Sequence, residues 1–252
     1  MKKILVTGMN GLIGGILKNH LDYLGCYELS ALNRSPTPGL RCTQADISDL
    51  EAIKPAFEDV DTVVHLAAFI EDSNDWHGNL TTNIIGTYNV FEAARLAGVS
   101  RVVFASSGST VSGFETIAPY DAMVGGRYDK VPKQFNKITH KDVWPSGVYG
   151  ASKIWGEAIG RHFSDEYKIS ILCVRIGRVT AENSPADSYH ASRFLGHRDV
   201  AQILHKCIEA PEHIKFDVFM ALSDNKWGYR DLDHSKDVLG YQPEDAAEDV
   251  FF

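Results

Sequence analysis

Cysteine is scarce and unpatterned in this chain: Cys26, Cys42, Cys173 and Cys207 are the only four among 252 residues. None stands in a Cys-x-x-Cys pair, which argues against a zinc site, and four scattered thiols build no disulfide framework. Four reduced, mostly buried thiols in a reducing compartment is the expectation, since a core of this length needs neither bridge nor metal. Long apolar runs are missing too. Ile4-Leu5-Val6 is interrupted at once by Thr7-Gly8, too early for a secretory leader. No stretch approaches the roughly 18 apolar residues of a membrane span. Cationic excess is absent as well: 25 Lys and Arg stand against 33 Asp and Glu, a formal net charge of −8, and no basic stripe is available to neutralise a phosphate backbone. Nucleic acid and membranes are therefore not expected partners, and the chain reads as cytoplasmic. Anionic small molecules stay open, because one arginine can hold them.

The composition is that of a globular domain, 44% hydrophobic and 23% charged, and short apolar runs alternate with amphipathic stretches. Strands are expected at 4–6, 28–32, 41–45, 62–68, 101–106 and 169–176. Helices are expected at 12–24, 49–57, 79–97 and 149–167, the first and third stopping at Gly25 and Gly98. This order predicts an α/β fold, a doubly wound parallel sheet of Rossmann type. Residues 1–180 form the NAD(P)-binding domain with the catalytic residues. Residues 181–252 form a reduced C-terminal substrate cap, partly packed back on the sheet, with one apolar strand at 218–222. The long irregular segment 108–148 is expected to be a lid or substrate wall.

Between the first strand and first helix, Gly8, Gly11 and Gly14 fall in a G-x-x-G-x-x-G pattern around Met9, Asn10, Leu12 and Ile13. Such a turn brings backbone N–H groups and a helix N-terminus against a pyrophosphate, which makes these residues the candidate dinucleotide loop. Where an acid accepts from the adenosine ribose in many such sites, this chain has Asn33 followed by Arg34. An uncharged residue does not repel a 2′-phosphate and a guanidinium binds one, so the charges favour NADP over NAD. In the alternative, Arg34 stacks on adenine or faces water. Asp46 is placed to accept from the adenine amino group or to act as a surface cap.

Tyr149 and Lys153 stand four apart at the start of the helix preceding the sixth strand, on one helix face. A nearby ammonium favours phenolate, which converts a phenol of pKa about 10 into a usable base. Ser106 and Ser107 end the fifth strand, whose carboxyl end faces the same crevice.

The stretches 7–14, Asp46-Ile47, His65-Leu66-Ala67-Ala68, 83–90, 104–107, 149–153 and Arg175-Ile176-Gly177 together resemble the extended short-chain dehydrogenases, in the branch of the NAD-dependent epimerases/dehydratases. Within that branch the chain is similar to uronate dehydrogenases, in Phe104-Ala105-Ser106-Ser107, in Val174-Arg175-Ile176-Gly177 and in the tail from Ser223 to Asp245. The resemblance implies oxidation of a cyclic sugar hydroxyl at the anomeric carbon by hydride transfer to nicotinamide, giving a lactone. It implies Tyr149 as base, Lys153 as the group that lowers its pKa and holds the nicotinamide ribose, and Ser107, with Ser109 in reserve, as the ligand of the substrate oxygen. It adds Ile47, Leu66, Ala67, Ala68 and Ile176 to the cofactor site and a homodimer through the helices at 79–97 and 149–167.

The departures concern the sugar. Uronate dehydrogenases follow the Ser pair with Asn-His, where this chain has Gly108-Ser109, and Arg-Ile-Gly with Ser, where it has Arg178. The arginine they use for the sugar carboxylate falls near Ser188 and Tyr189. The dehydrogenase chemistry is thus expected for a uronate, a sugar phosphate or an aldose, with Arg178 binding a carboxylate or phosphate or else pairing with Glu182. Arg193 and Arg127 are weaker candidates for the same role, and His140, Lys141 and Trp144 are candidate pocket residues. The competing expectations are an NDP-sugar epimerase or dehydratase with retained cofactor, and a non-catalytic dinucleotide-sensing protein.

Overall fold

Apolar runs too short for helices pair into a seven-stranded, all-parallel sheet in the computed structural model, which describes residues 1–251 and side chains through residue 250. In chain order, β1 (Lys2–Thr7), α1 (Leu12–Leu24), β2 (Tyr27–Asn33), β3 (Arg41–Gln44), α2 (Leu50–Ile53) and β4 (Thr62–His65) come first. The single turn α3 (Trp76–Gly78), a π-helical stretch (Asn79–Gly86), α4 (Thr87–Leu96) and β5 (Arg101–Ser107) follow. Beyond three 3₁₀ turns and α5 (Tyr120–Val124) lie α6 (Gly147–Tyr167), β6 (Ser170–Ile176), α7 (Ser188–Ala191), α8 (His197–Ile208), β7 (Phe216–Ala221), α9 (Asp233–Leu239) and α10 (Glu248–Phe251).

The sheet order is β3-β2-β1-β4-β5-β6-β7. The winding reverses between β1 and β4, and that reversal opens a crevice beyond the strands' carboxyl ends. Alternate residues serve opposite layers. Ile4, Val6, Val103 and Leu172 pack with Leu17 and Leu21 of α1 and with Val200, Ile203 and Leu204 of α8. Leu5, Val63, Val102 and Ile171 pack on the other side with Val90 and Phe91 of α4 and Phe163 of α6. Both layers are buried, each such side chain contributing about 1.5–3 kcal/mol. The stretch after residue 180 supplies α8 to one layer and β7 to the sheet.

Three local expectations are corrected. The helix expected over 79–97 opens as a π-helix. There Asn83 bonds both the N–H and the C=O of Phe69 (2.8 and 3.0 Å) and donates to Asn79 Oδ1 (2.8 Å), tertiary bonds that the widened turn accommodates. Capture of Phe69 also draws the chain out of the sheet, so β4 ends at His65 rather than at residue 68. The segment 108–148 is largely turned and packed, with Val111, Tyr120, Met123 and Ile138 forming a small core with Met220, Leu222, Tyr229 and Leu232. All four cysteines are free, but only Cys173 and Cys207 are buried; Cys26 follows the Gly25 helix stop into solvent. Among the described residues no helix is long and apolar enough to cross a membrane.

Candidate active site

The loop after β1 turns at Gly8, whose φ is +75° and whose Cβ, if it had one, would lie 2.8 Å from the Ala67 nitrogen. Glycine alone fits both demands. α1 then starts at Gly11 with no side-chain cap and no acid in its first turn. Its first N–H groups lack helical partners and the positive end of the helix dipole is open to an anion. The groups present therefore fit a dinucleotide pyrophosphate.

Asn33, at the end of β2, is buried and donates through Nδ2 to Thr37 Oγ1 (2.6 Å), which itself donates to Asn10 Oδ1 (2.8 Å). With the Thr37 proton committed, the Asn33 amide has only one consistent orientation, and its Oδ1 is left as an acceptor without a partner among the described residues. Arg34 is exposed and pairs with no carboxylate among the described residues. Asp46 does cap a turn, accepting from Ser48 N (2.9 Å) and Ser48 Oγ (2.8 Å).

On α6, Tyr149 and Lys153 face the end of β5. The Lys153 ammonium is buried and donates to Ala105 O (2.8 Å), with the Tyr149 ring centroid 5.6 Å away. Burial pushes its pKa down to about 8, against the pull of Glu157. Burial pushes the Tyr149 phenol up, while a hydrogen bond with Ser107 acts the other way. Burial thus moves the two values apart, and the ammonium gives up its proton at a lower pH than the phenol. Beneath them Glu157 Oε1 accepts from Ser106 Oγ (2.5 Å) and Arg175 Nε (2.9 Å), and Glu157 Oε2 accepts from Arg175 Nη2 (2.8 Å). This buried fork locks α6 to β5 and β6, which fixes where Tyr149 and Lys153 stand. His65 also lies beside Lys153. Burial first, and the nearby ammonium second, hold its pKa at about 3, so it stays neutral as it bridges Thr7 and Thr87.

Twenty of the residues expected from sequence line one crevice of about 830 Å³: Gly8, Asn10, Gly11, Leu12, Ile13, Gly14, Asn33, Arg34, Asp46, Ile47, Leu66, Ala67, Ala68, Ser107, Gly108, Ser109, Tyr149, Lys153, Ile176 and Arg178. Arg178 is exposed and makes no pair with Glu182. Arg193 joins the crevice wall, whereas Arg127 pairs with Asp121 away from it. His140 stacks on His234 (centroids 3.7 Å apart), Trp144 packs on Phe114, and neither they nor Lys141 line the crevice. Sequence reasoning missed Arg230, Tyr189 and His190, which do. No local pattern marks them; packing of the segments that follow β6 and β7 brings them in.

Known proteins are similar to this chain over nearly its whole length. The NAD-dependent glucose-6-phosphate dehydrogenase of Haloferax volcanii is 30% identical over 99% of this chain and 95% of its own length. The L-arabinose 1-dehydrogenase (NAD(P)(+)) of the same organism is 30% identical, covering 99% of each. The crystal structure of uronate dehydrogenase from Agrobacterium tumefaciens superposes with a TM-score of 0.81 at 29% identity, over 99% of this chain and 86% of that one. The NAD dependent epimerase/dehydratase family model matches residues 4–238, and the chain belongs to that family.

Proposed function

We propose that this chain is an NAD(P)-dependent sugar dehydrogenase that oxidises a ring hydroxyl at the anomeric carbon to a lactone, with Tyr149 as the base. The observation that carries the reading is the meeting of Tyr149, Lys153 and Ser107 with the glycine loop in one crevice at the sheet's carboxyl edge. Support comes also from relatives named as sugar dehydrogenases that match the chain nearly end to end.

The loop from Gly8 to Gly14 would hold the pyrophosphate, Asn33 and Arg34 the adenosine ribose, Asp46 and Ile47 the adenine. Leu66, Ala67, Ala68 and Ile176 would line the path to the nicotinamide. Bound there, the nicotinamide supplies a hydride acceptor. Ser107 donates to the sugar oxygen and orients it, and Tyr149 takes the hydroxyl proton as the C–H electron pair leaves. Lys153, as ammonium, stabilises the phenolate and reaches the nicotinamide ribose. Initial rates with NAD and NADP against uronates, aldoses and aldose phosphates test the reading. Silence across that panel, with nucleotide retained through purification, would replace it with an epimerase.

Asn33 Oδ1 suits a free ribose hydroxyl and Arg34 suits a 2′-phosphate, so both nucleotides are expected to serve. Arg34→Ala is expected to raise the KM for NADP about tenfold or more, since a charged hydrogen bond of about 1.5–3 kcal/mol is lost, and to change that for NAD far less. Equal effects on both would remove Arg34 from the phosphate site. The reading extends to a cytoplasmic homodimer joined through the π-helical stretch, α4 and α6, where Ile85, Tyr88, Leu96 and Tyr167 are exposed. Light scattering should give twice the chain mass; a monomer mass would refute the dimer.

A further inference from the structure

Three arginines from separate segments gather on the β6–β7 side of the crevice. Arg178 follows β6, Arg193 follows α7, and Arg230 lies between β7 and α9. Backbone bonds from Arg178 N to Arg193 O (2.7 Å) and from Leu195 N to Arg178 O (2.9 Å) hold the first two side by side. The Arg193 guanidinium lies 3.4 Å over the Tyr189 ring, with Nη1 3.7 Å from Glu115 Oε1.

Arg230 is only 3% exposed. Its Nη2 donates to Gly108 O (3.1 Å) and Tyr229 Oη (3.0 Å) and lies 3.4 Å from Glu115 Oε1, while its Nε has no partner among the described residues. A Cβ on Gly108 would fall 2.0 Å from Arg230 Nη1, so the guanidinium fills the space directly beside Ser107.

Glu115 is the one carboxylate paired with these arginines among the described residues, and Arg178 is paired with none. Three guanidiniums against the Glu115 carboxylate, with Asp187 near enough to Arg193 to feel its charge, leave this corner net positive. Asp46 and Glu71 also line the crevice, but they follow β3 and β4. A buried guanidinium with an unfilled donor is costly unless an acceptor arrives.

We infer that this corner is an anion subsite for a phosphate group and that the substrate is a phosphorylated aldose; the second half rests on the dehydrogenase reading. A phosphate monoester carries about −1.5 to −2 charge at neutral pH and three acceptor oxygens, which suits three guanidiniums converging from separate segments. A carboxylate brings one charge and only two acceptor oxygens.

Glucose 6-phosphate, glucuronate and glucose differ only at C6 and form the test series. The wild-type kcat/KM is expected to be at least about a hundredfold higher for the phosphate ester than for glucose, with glucuronate between. Arg178→Gln and Arg193→Gln are each expected to cut the phosphate-to-glucose ratio about tenfold or more, through KM. Arg230 is buried, so the two more accessible arginines carry the kinetics. A binding readout independent of turnover is the rise in Tm that inorganic phosphate gives the nucleotide-saturated protein, expected in wild type and lost in Arg193→Gln.

A wild-type ratio near one, preference for glucuronate, or variants that slow all three sugars alike would overturn the phosphate subsite and leave the dehydrogenase reading intact. Phosphate stabilisation lost in Arg193→Gln, with no turnover of any sugar, would keep the subsite and overturn the dehydrogenase.

Discussion

Tyr149→Phe is expected to lower the rate of sugar oxidation by about 10²–10⁴, the range typical of a lost general base. The substitution keeps the ring that packs at the head of α6 and removes only the hydroxyl that faces Ser107. The Glu157–Arg175 fork that positions the helix is untouched, so Tm and nucleotide affinity should stay close to wild type. The loss should fall on kcat and kcat/KM together, because the proton is taken only as the reaction proceeds. A variant within about tenfold of wild type at every pH would remove Tyr149 from the chemistry.

Lys153→Met is expected to move the pH profile as well as the rate. In the wild type the pair loses its first proton near the Lys153 value of about 8. The state with one proton fewer includes the form with phenolate beside ammonium, so oxidation should rise with pH through about 8 and level off above it. Burial already holds the phenol above its ordinary value of about 10, and in the variant no neighbouring ammonium brings phenolate within reach near pH 8. The rise should then shift beyond about pH 10, with a loss of at least about a hundredfold at pH 7, two pH units being a factor of about one hundred. A profile that still turns near pH 8 in the variant would mean that another group sets it. The same burial bears on stability. Lys153 is charged at a cost in the folded state, so the penalty is present below pH 8 and fades as pH rises toward the unfolded value of about 10.4.

Much of this was legible because the relevant signals are local. The glycine turn from Gly8 to Gly14 works through its own backbone, and Tyr149 and Lys153 share a face by helical spacing alone. The short apolar runs at 4–6 and 101–106 likewise mark buried strands by composition alone. The arginine corner was not legible in the same way. Arg230 reaches Gly108 across 122 positions, carried there by the small core of Val111, Tyr120, Met220 and Tyr229. The π-helical opening at Asn79–Gly86 likewise depends on bonds to Phe69, which no helical periodicity encodes. His140 and Trp144 looked like pocket residues because they precede Tyr149 in sequence. The chain folds back on itself there, and both spend their rings on His234 and Phe114.

The central claim is hydride transfer from the anomeric carbon of a sugar to nicotinamide. An aldose or aldose phosphate deuterated at C1, incubated with the protein and oxidised nucleotide, tests it most directly. The account predicts reduced nucleotide one mass unit heavier, formed one for one with lactone, and none from Tyr149→Phe at the same exposure. Unlabelled nucleotide, with deuterium retained in a sugar whose ring stereochemistry has changed, would contradict it.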